Sequence, residues 1–119
     1  MTHKVNDLKE RTKKYALRIM KLVASLPNTV SGRIIGTQLF RSGTSTAANY
    51  RAACRARSRA DFISKIGIVI EETDESAFWL ELIIDSGLLK KELVEGLLQE
   101  TNEILAIMIS SSNSARKNR

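Results

Sequence analysis

Apolar residues recur at steps of three and four along most of the chain, the period of an α-helix with one buried face. The first stripe is Val5, Leu8, Thr12, Tyr15, Ile19, Leu22 and Leu26; Asn6 or Asp7 is placed to cap it, and Pro27 with Asn28 ends it. A helix of about 22 residues is some 33 Å long, too long for a small mixed α/β unit. Another stripe runs Ile63, Ile66, Ile70, Thr73, Ala77, Leu80 and Ile84. Ser58 stands before it as an N-cap, Asp61 falls in its first turn, and Ser86 with Gly87 stops it. The last, over residues 90–110, carries Leu93, Val94, Leu97, Leu98, Thr101, Ile104, Leu105 and Met108.

Residues 32–54 are less plain. Their inward series is Ile35, Leu39, Ser42, Thr46, Asn49 and Ala53, in which large side chains give way to small and polar ones. Glycine and β-branched residues weaken a helix, yet small side chains let a neighbouring backbone come close, and a helix is predicted here too. Asn49 then needs hydrogen-bond partners, across helices or on the backbone.

Four helices joined by short linkers predict an all-α, antiparallel up-down-up-down four-helix bundle over residues 1–110, with a disordered basic tail at 111–119. The third helix has more apolar surface than one seam needs, with Phe62, Val69, Phe78, Trp79, Leu82 and Ile83 beside its stripe. This surplus predicts a second interface, most simply self-association.

A length of 119 residues holds one domain, and 43% hydrophobic with 27% charged residues is a soluble globular composition. The single cysteine, Cys54, forms no internal disulfide and fits a reducing cytoplasm. Residues 1–11 lack the apolar stretch of a signal peptide, and the longest unbroken apolar or glycine run is residues 66–70, so neither secretion nor a membrane span is expected.

The net charge of +6 hides an asymmetry. Residues 1–60 hold thirteen lysines and arginines against two acids, and residues 61–119 hold six against eleven. One consequence is attraction between packed helices of the two halves. The other is a basic face that meets a polyanion. Arg11, Lys14, Arg18 and Lys21 lie on one exposed stripe of the first helix, and Arg51, Arg55, Arg57 and Arg59 form a second cluster at the end of the second helix and its connector. With only Tyr50 nearby, phosphate contact rather than base stacking is expected.

Catalytic chemistry finds no support. A di-iron bundle needs a Glu-x-x-His step on two helices, whereas the one histidine is His3, outside the expected bundle, so the cluster Glu71, Glu72, Asp74 and Glu75 is not expected to hold metal, and Glu71, Glu75, Glu81 and Asp85 are expected to form a solvated face or to pair with basic side chains of a neighbouring helix or subunit. Cys54 has no histidine to act as its base, and Gly32, Gly36 and Gly43 have no phosphate-loop spacing. No enzyme activity, metal or cofactor is expected.

The run Gly36-Thr-Gln-Leu-Phe-Arg-Ser-Gly-Thr-Ser-Thr-Ala-Ala-Asn49, then Tyr50-Arg-Ala-Ala-Cys-Arg-Ala-Arg-Ser58, Asp61-Phe62 and Glu72-Thr-Asp-Glu75-Ser-Ala-Phe-Trp79, resembles the bacterial four-helix-bundle family named after intervening sequences of large-subunit ribosomal RNA. The likeness spans residues 17–105 and is most specific around Gln38, Arg41, Ser45 and Asn49. Where many relatives carry Ile-Ala-Glu-Gly after the asparagine, this chain has Tyr50-Arg51-Ala52-Ala53, so no role of that glutamate transfers. The resemblance implies a subunit that assembles into a ring-like homopentamer. One branch of the family is the accessory variability protein of diversity-generating retroelements, which implies as partners a reverse transcriptase and RNA or DNA. The expectation is a non-enzymatic, cytoplasmic ring scaffold that holds nucleic acid or a reverse-transcriptase ribonucleoprotein on its basic faces. The alternative is a protein-interaction adaptor whose bases are consumed by the acidic face of the third helix.

Overall fold

A computed structural model describes the backbone of residues 2–117 and the side chains of residues 7–117. Among these residues there are four helices and no strand: α1 (Thr2–Ala24), α2 (Val30–Cys54), α3 (Arg59–Ser86) and α4 (Lys91–Lys117). Connectors of five, four and four residues leave each helix no choice but to fold back on the one before it. Cross-helix pairs confirm antiparallel packing: Gly43 sits against Ile19 and Gly36 against Leu26, Ser42 meets Ser76 while Thr46 meets Thr73, and Arg11 meets Glu103 while Tyr15 meets Thr101. The helices pack in the order α1, α2, α3, α4 around a square, and α1 on α4 is the loosest of the four seams. The resulting rod measures 48 × 22 × 19 Å.

The ends follow from local chemistry. Thr29 is extended (φ −121°, ψ 170°) and its hydroxyl accepts from the Gly32 amide at 3.1 Å, so α2 begins two residues before Gly32, its expected start. Ser58 caps α3 in the same way, accepting from the Asp61 amide at 3.0 Å. Gly87 closes α3 with φ +75°, a left-handed conformation that glycine adopts without strain. α1 begins earlier than expected and runs straight through Asn6 and Asp7, so neither caps it. The inward position expected of Val5 and the side chain of His3 lie outside the described residues.

The expected tail is a correction. From Ser111 onward the chain continues α4 to Lys117, while Asn118 and Arg119 lie outside the described residues. Ser112 is buried on the same row as Ile104 and Met108, serine is only mildly unfavourable in a helix, and Arg116 and Lys117 sit at the negative end of the helix dipole. Composition suggested disorder, whereas the row of inward positions simply goes on.

The core holds Tyr15, Ile19, Leu39, Ile66, Leu80, Ile83, Ile104 and Met108, all essentially without exposed surface. Val69 and Ile83 belong to it, so part of the apparent surplus of α3 is spent inside the subunit. Leu93, expected inward, is instead 63% exposed at the start of α4. A polar layer crosses the core. Tyr15 Oη and Thr101 Oγ1 are 2.7 Å apart, Ser42 Oγ and Ser76 Oγ 2.8 Å, and Thr73 Oγ1 donates to Thr46 Oγ1 at 3.3 Å. No buried side-chain polar atom among the described residues lacks a partner, as a low-dielectric interior requires. Burial pushes the Tyr15 phenol up to about 12.

Candidate nucleic-acid interface

The two predicted basic clusters meet different surroundings. On α1, Arg11 is engaged with α4: its Nε and Nη2 donate to Glu100 at 2.9 and 2.7 Å, and Nη2 also reaches Glu103 at 2.9 Å. The stripe of Arg11, Lys14, Arg18 and Lys21 borders the α1–α4 seam, where α4 presents its own carboxylates, so a phosphate at Arg11 would have to compete with them. Those hydrogen bonds raise the Arg11 guanidinium further above its ordinary range, and they hold the Glu100 carboxyl below its own despite partial burial. Lys14 and Arg18 remain exposed, but they line one cleft of about 440 Å³ with Asp7, Glu10 and Glu100. Opposite charges there blunt each other's field. Lys21 is exposed further along the helix.

The second cluster keeps its charge. Arg51 and Arg55, both exposed, line a groove of about 410 Å³ between α1 and α2. The opposite wall is α1, which contributes Lys9 and Lys13, also exposed. Thr44, Ala47 and Ala48 form the α2 side of the groove, and Glu10 is the one carboxylate lining it. None of the four cations forms an ion pair among the described residues. Arg57 and Arg59 sit exposed in and just after the connector, away from that groove; the Arg57 amide donates to Asp61 at 3.4 Å, and Asp61 is held below the usual carboxylate range chiefly by Lys65.

Lys9 and Lys13 were missed in the sequence. At 100° per residue they fall on the flank of α1 opposite to Arg11 and Arg18, and nothing along the chain says which flank will face Arg51 until α1 is laid antiparallel on α2.

Of the residues most specific to the family resemblance, Arg41 joins α2 to α3, while Asn49 and Ser45 bond to each other within α2. Arg41 Nη1 donates to Glu72 at 2.9 Å and its Nη2 to Glu75, Asn49 Nδ2 donates to the Ser45 carbonyl at 2.8 Å, and Ser42 meets Ser76. The run from Gly36 and the run from Glu72 are thus two sides of one seam. Glu75 also accepts from Trp79 Nε1 at 2.9 Å, and these two donors, the indole first, hold its carboxyl below the usual range. Trp79 in turn stands edge-on to Phe78 with ring centres 5.1 Å apart, leaving Phe78 51% exposed. Cys54 is half-buried against the core, and burial is the main cause that pushes its neighbour Tyr50 up.

No described helix is long and apolar enough to cross a membrane. Three comparisons with known proteins bear on the chain. No curated protein matches it. Among solved structures it is similar to a protein of unknown function from the S23 ribosomal protein family of Bacteroides thetaiotaomicron, with 37% identity over 92% of this chain and 98% of that one and a TM-score of 0.83. Residues 4–110 match the profile of the 23S rRNA-intervening sequence protein, and with the four-helix architecture and the α2–α3 seam in place, the chain belongs to that family.

Proposed function

We propose that this chain is a non-enzymatic scaffold of the cytoplasm that assembles into a ring, a homopentamer by the family resemblance, and holds RNA or a reverse-transcriptase ribonucleoprotein on its cationic surface. The observation that carries the binding half is the α1–α2 groove, where Lys9, Lys13, Arg51 and Arg55 stand exposed without an ion-pair partner among the described residues. Clustered, unpaired cations supply sequence-independent affinity for phosphate and release counterions on binding. Self-association is supported by Phe78, Ile68 and Leu93, large apolar side chains left 51%, 40% and 63% exposed on α3 and α4.

A second reading, a protein adaptor with no nucleic-acid role, is favoured by the ion pairs of Arg11 and Arg41, which remove two cations from use. One titration separates the readings. For four phosphates on a single strand the logarithmic salt slope is about −2.8, so affinity for RNA falls roughly 50-fold from 50 to 200 mM salt. No detectable RNA binding at low salt leaves the adaptor. Mass in solution tests the ring, and a lone subunit at micromolar concentration refutes it.

A further inference from the structure

The groove has a direction and an end, and both bear on what it accepts. Along α2, Phe40, Thr44, Ala47, Ala48, Arg51 and Arg55 fall within about 100° of one another on the helix, a row some 22 Å long. The cations at Arg51 and Arg55, and those facing them at Lys9 and Lys13, are each four residues apart, about 6 Å along the helix and on the scale of one nucleotide step in an extended strand. The small side chains of Ala47 and Ala48 keep the floor low between these rims. At the other end the row reaches Phe40, a ring 42% exposed on a cleft of about 600 Å³ shared with Val23, Leu26 and Pro27. Met20 of α1 is also 40% exposed, on the flank that carries Lys9 and Lys13.

A cationic trough with an exposed aromatic ring further along the same helix row combines the two elements of single-strand binding: backbone tracking by charge and stacking on a face that every base possesses. A duplex has its bases already stacked, and it meets the rims of such a trough without reaching its floor. We infer that the α1–α2 groove is a track for single-stranded polynucleotide, with phosphates between Lys9, Lys13, Arg51 and Arg55 and a base stacked on Phe40. The inference rests on the nucleic-acid reading above and narrows it to one site and one form of ligand. It departs from the expectation of phosphate contact without stacking, which took account of Tyr50 alone; Phe40 comes into line with the cations only along the α2 row.

The test is fluorescence anisotropy of the full chain with a labelled, unstructured oligouridine of about twelve nucleotides, against a blunt RNA duplex of equal length and poly-glutamate of equal charge. Lys13→Glu with Arg51→Glu is expected to weaken single-strand binding at least tenfold. Phe40→Ala is expected to weaken it at least fivefold with the salt slope unchanged, whereas Lys14→Glu with Lys21→Glu changes it less than threefold. Circular dichroism confirms that each variant is folded, and Phe40→Tyr, which retains the ring, restores binding. The track is refuted if the Lys14 and Lys21 reversals match those in the groove, if duplex binds as tightly as the single strand and Phe40→Ala is silent, or if poly-glutamate competes equally. If the unaltered chain binds no polynucleotide at low salt, the broader proposal falls with it; if binding persists but ignores the groove, only the track falls.

Discussion

One substitution made at two places tests whether α1 and α2 approach as closely as described. A methyl placed on Gly43 would lie 2.7 Å from both Cγ1 and Cγ2 of Ile19, a side chain with no exposed surface, whereas one placed on Gly67 in α3 meets nothing within 4 Å. Both glycines are interior to helices, so alanine gains about 1 kcal/mol of helix propensity at either. At Gly67 that gain stands alone. At Gly43 it is set against overpacking of roughly 2–3 kcal/mol, because neither the branched Ile19 nor its backbone can withdraw without opening the core. Gly43→Ala is therefore destabilising by about 1–2 kcal/mol and Gly67→Ala stabilising by about 1 kcal/mol. At roughly 4 °C per kcal/mol for a chain of this size, the two midpoints separate by about 10 °C. Thermal unfolding followed by circular dichroism at one fixed protein concentration measures this, the fixed concentration holding the mass-action contribution of any assembly equal between variants. In an Ile19→Ala background the two carbons at 2.7 Å are gone and only Cβ, at 3.1 Å, remains, so the penalty of Gly43→Ala should largely disappear. Equal shifts for the two single variants, or an unchanged penalty in that background, would refute the close approach.

Two ionisable groups give predictions of opposite pH sense. Glu100 is held below its ordinary value of 4.5 chiefly by the Arg11 hydrogen bonds; its stabilisation is present above that value and disappears as pH falls through the lowered one. Arg11→Met is thus expected to lose about 1 kcal/mol near neutrality, a figure already reduced because Arg11 is one-third exposed, and to flatten the acid limb of a urea midpoint-against-pH curve; an acid limb as steep as before would count against the pair. Tyr15 behaves in reverse: its pKa is pushed up from 10.0 to about 12, so the folded chain retains a proton that the unfolded chain loses, and stability falls as pH rises across that interval. Tyr15→Phe is expected to cost about 1 kcal/mol at neutral pH through the lost bond to Thr101 and to remove part of the alkaline decline, as read by phenolate absorbance alongside unfolding.

The helices were legible because burial repeats with the helical period, and Ser58 and Gly87 are read correctly from chemistry that acts within one turn. Even residues 32–54, with few large apolar side chains, were legible as a helix once close approach was allowed; Gly43 against Ile19 is the form it takes. The continuation of α4 to Lys117 was not, because serine and asparagine lack the apolar contrast on which periodicity depends, although Ser112 is buried in register. The candidate site was half legible. Arg51 and Arg55 could be picked out as charge, but their partners Lys9 and Lys13 are some forty residues away and become neighbours only through the α1–α2 seam. In the motif that carried the family, Arg41 is paired with Glu72 and Glu75 and Asn49 bonds to the backbone of its own helix.

The asymmetry of charge between the two halves of the chain explains where the free cations lie. In the square of helices, α1 and α2 are adjacent, as are α3 and α4, so the basic half and the acidic half form opposite faces and touch only along the α1–α4 and α2–α3 seams. The cross-half ion pairs occur at those two seams: Arg11 with Glu100 and Glu103 at one, Arg41 with Glu72 and Glu75 at the other. Arg11 and Arg41, at the seams, are paired with carboxylates of the other half of the chain. The cations on the outer α1–α2 face are beyond its reach, with Glu10 as the one carboxylate lining the groove. A phosphate backbone arriving at that face displaces no existing ion pair. At the stripe of Arg11, Lys14, Arg18 and Lys21 the same backbone would compete with a carboxylate already hydrogen-bonded to Arg11 at 2.7 Å, and this difference is why the proposed track is placed in the groove rather than on the stripe.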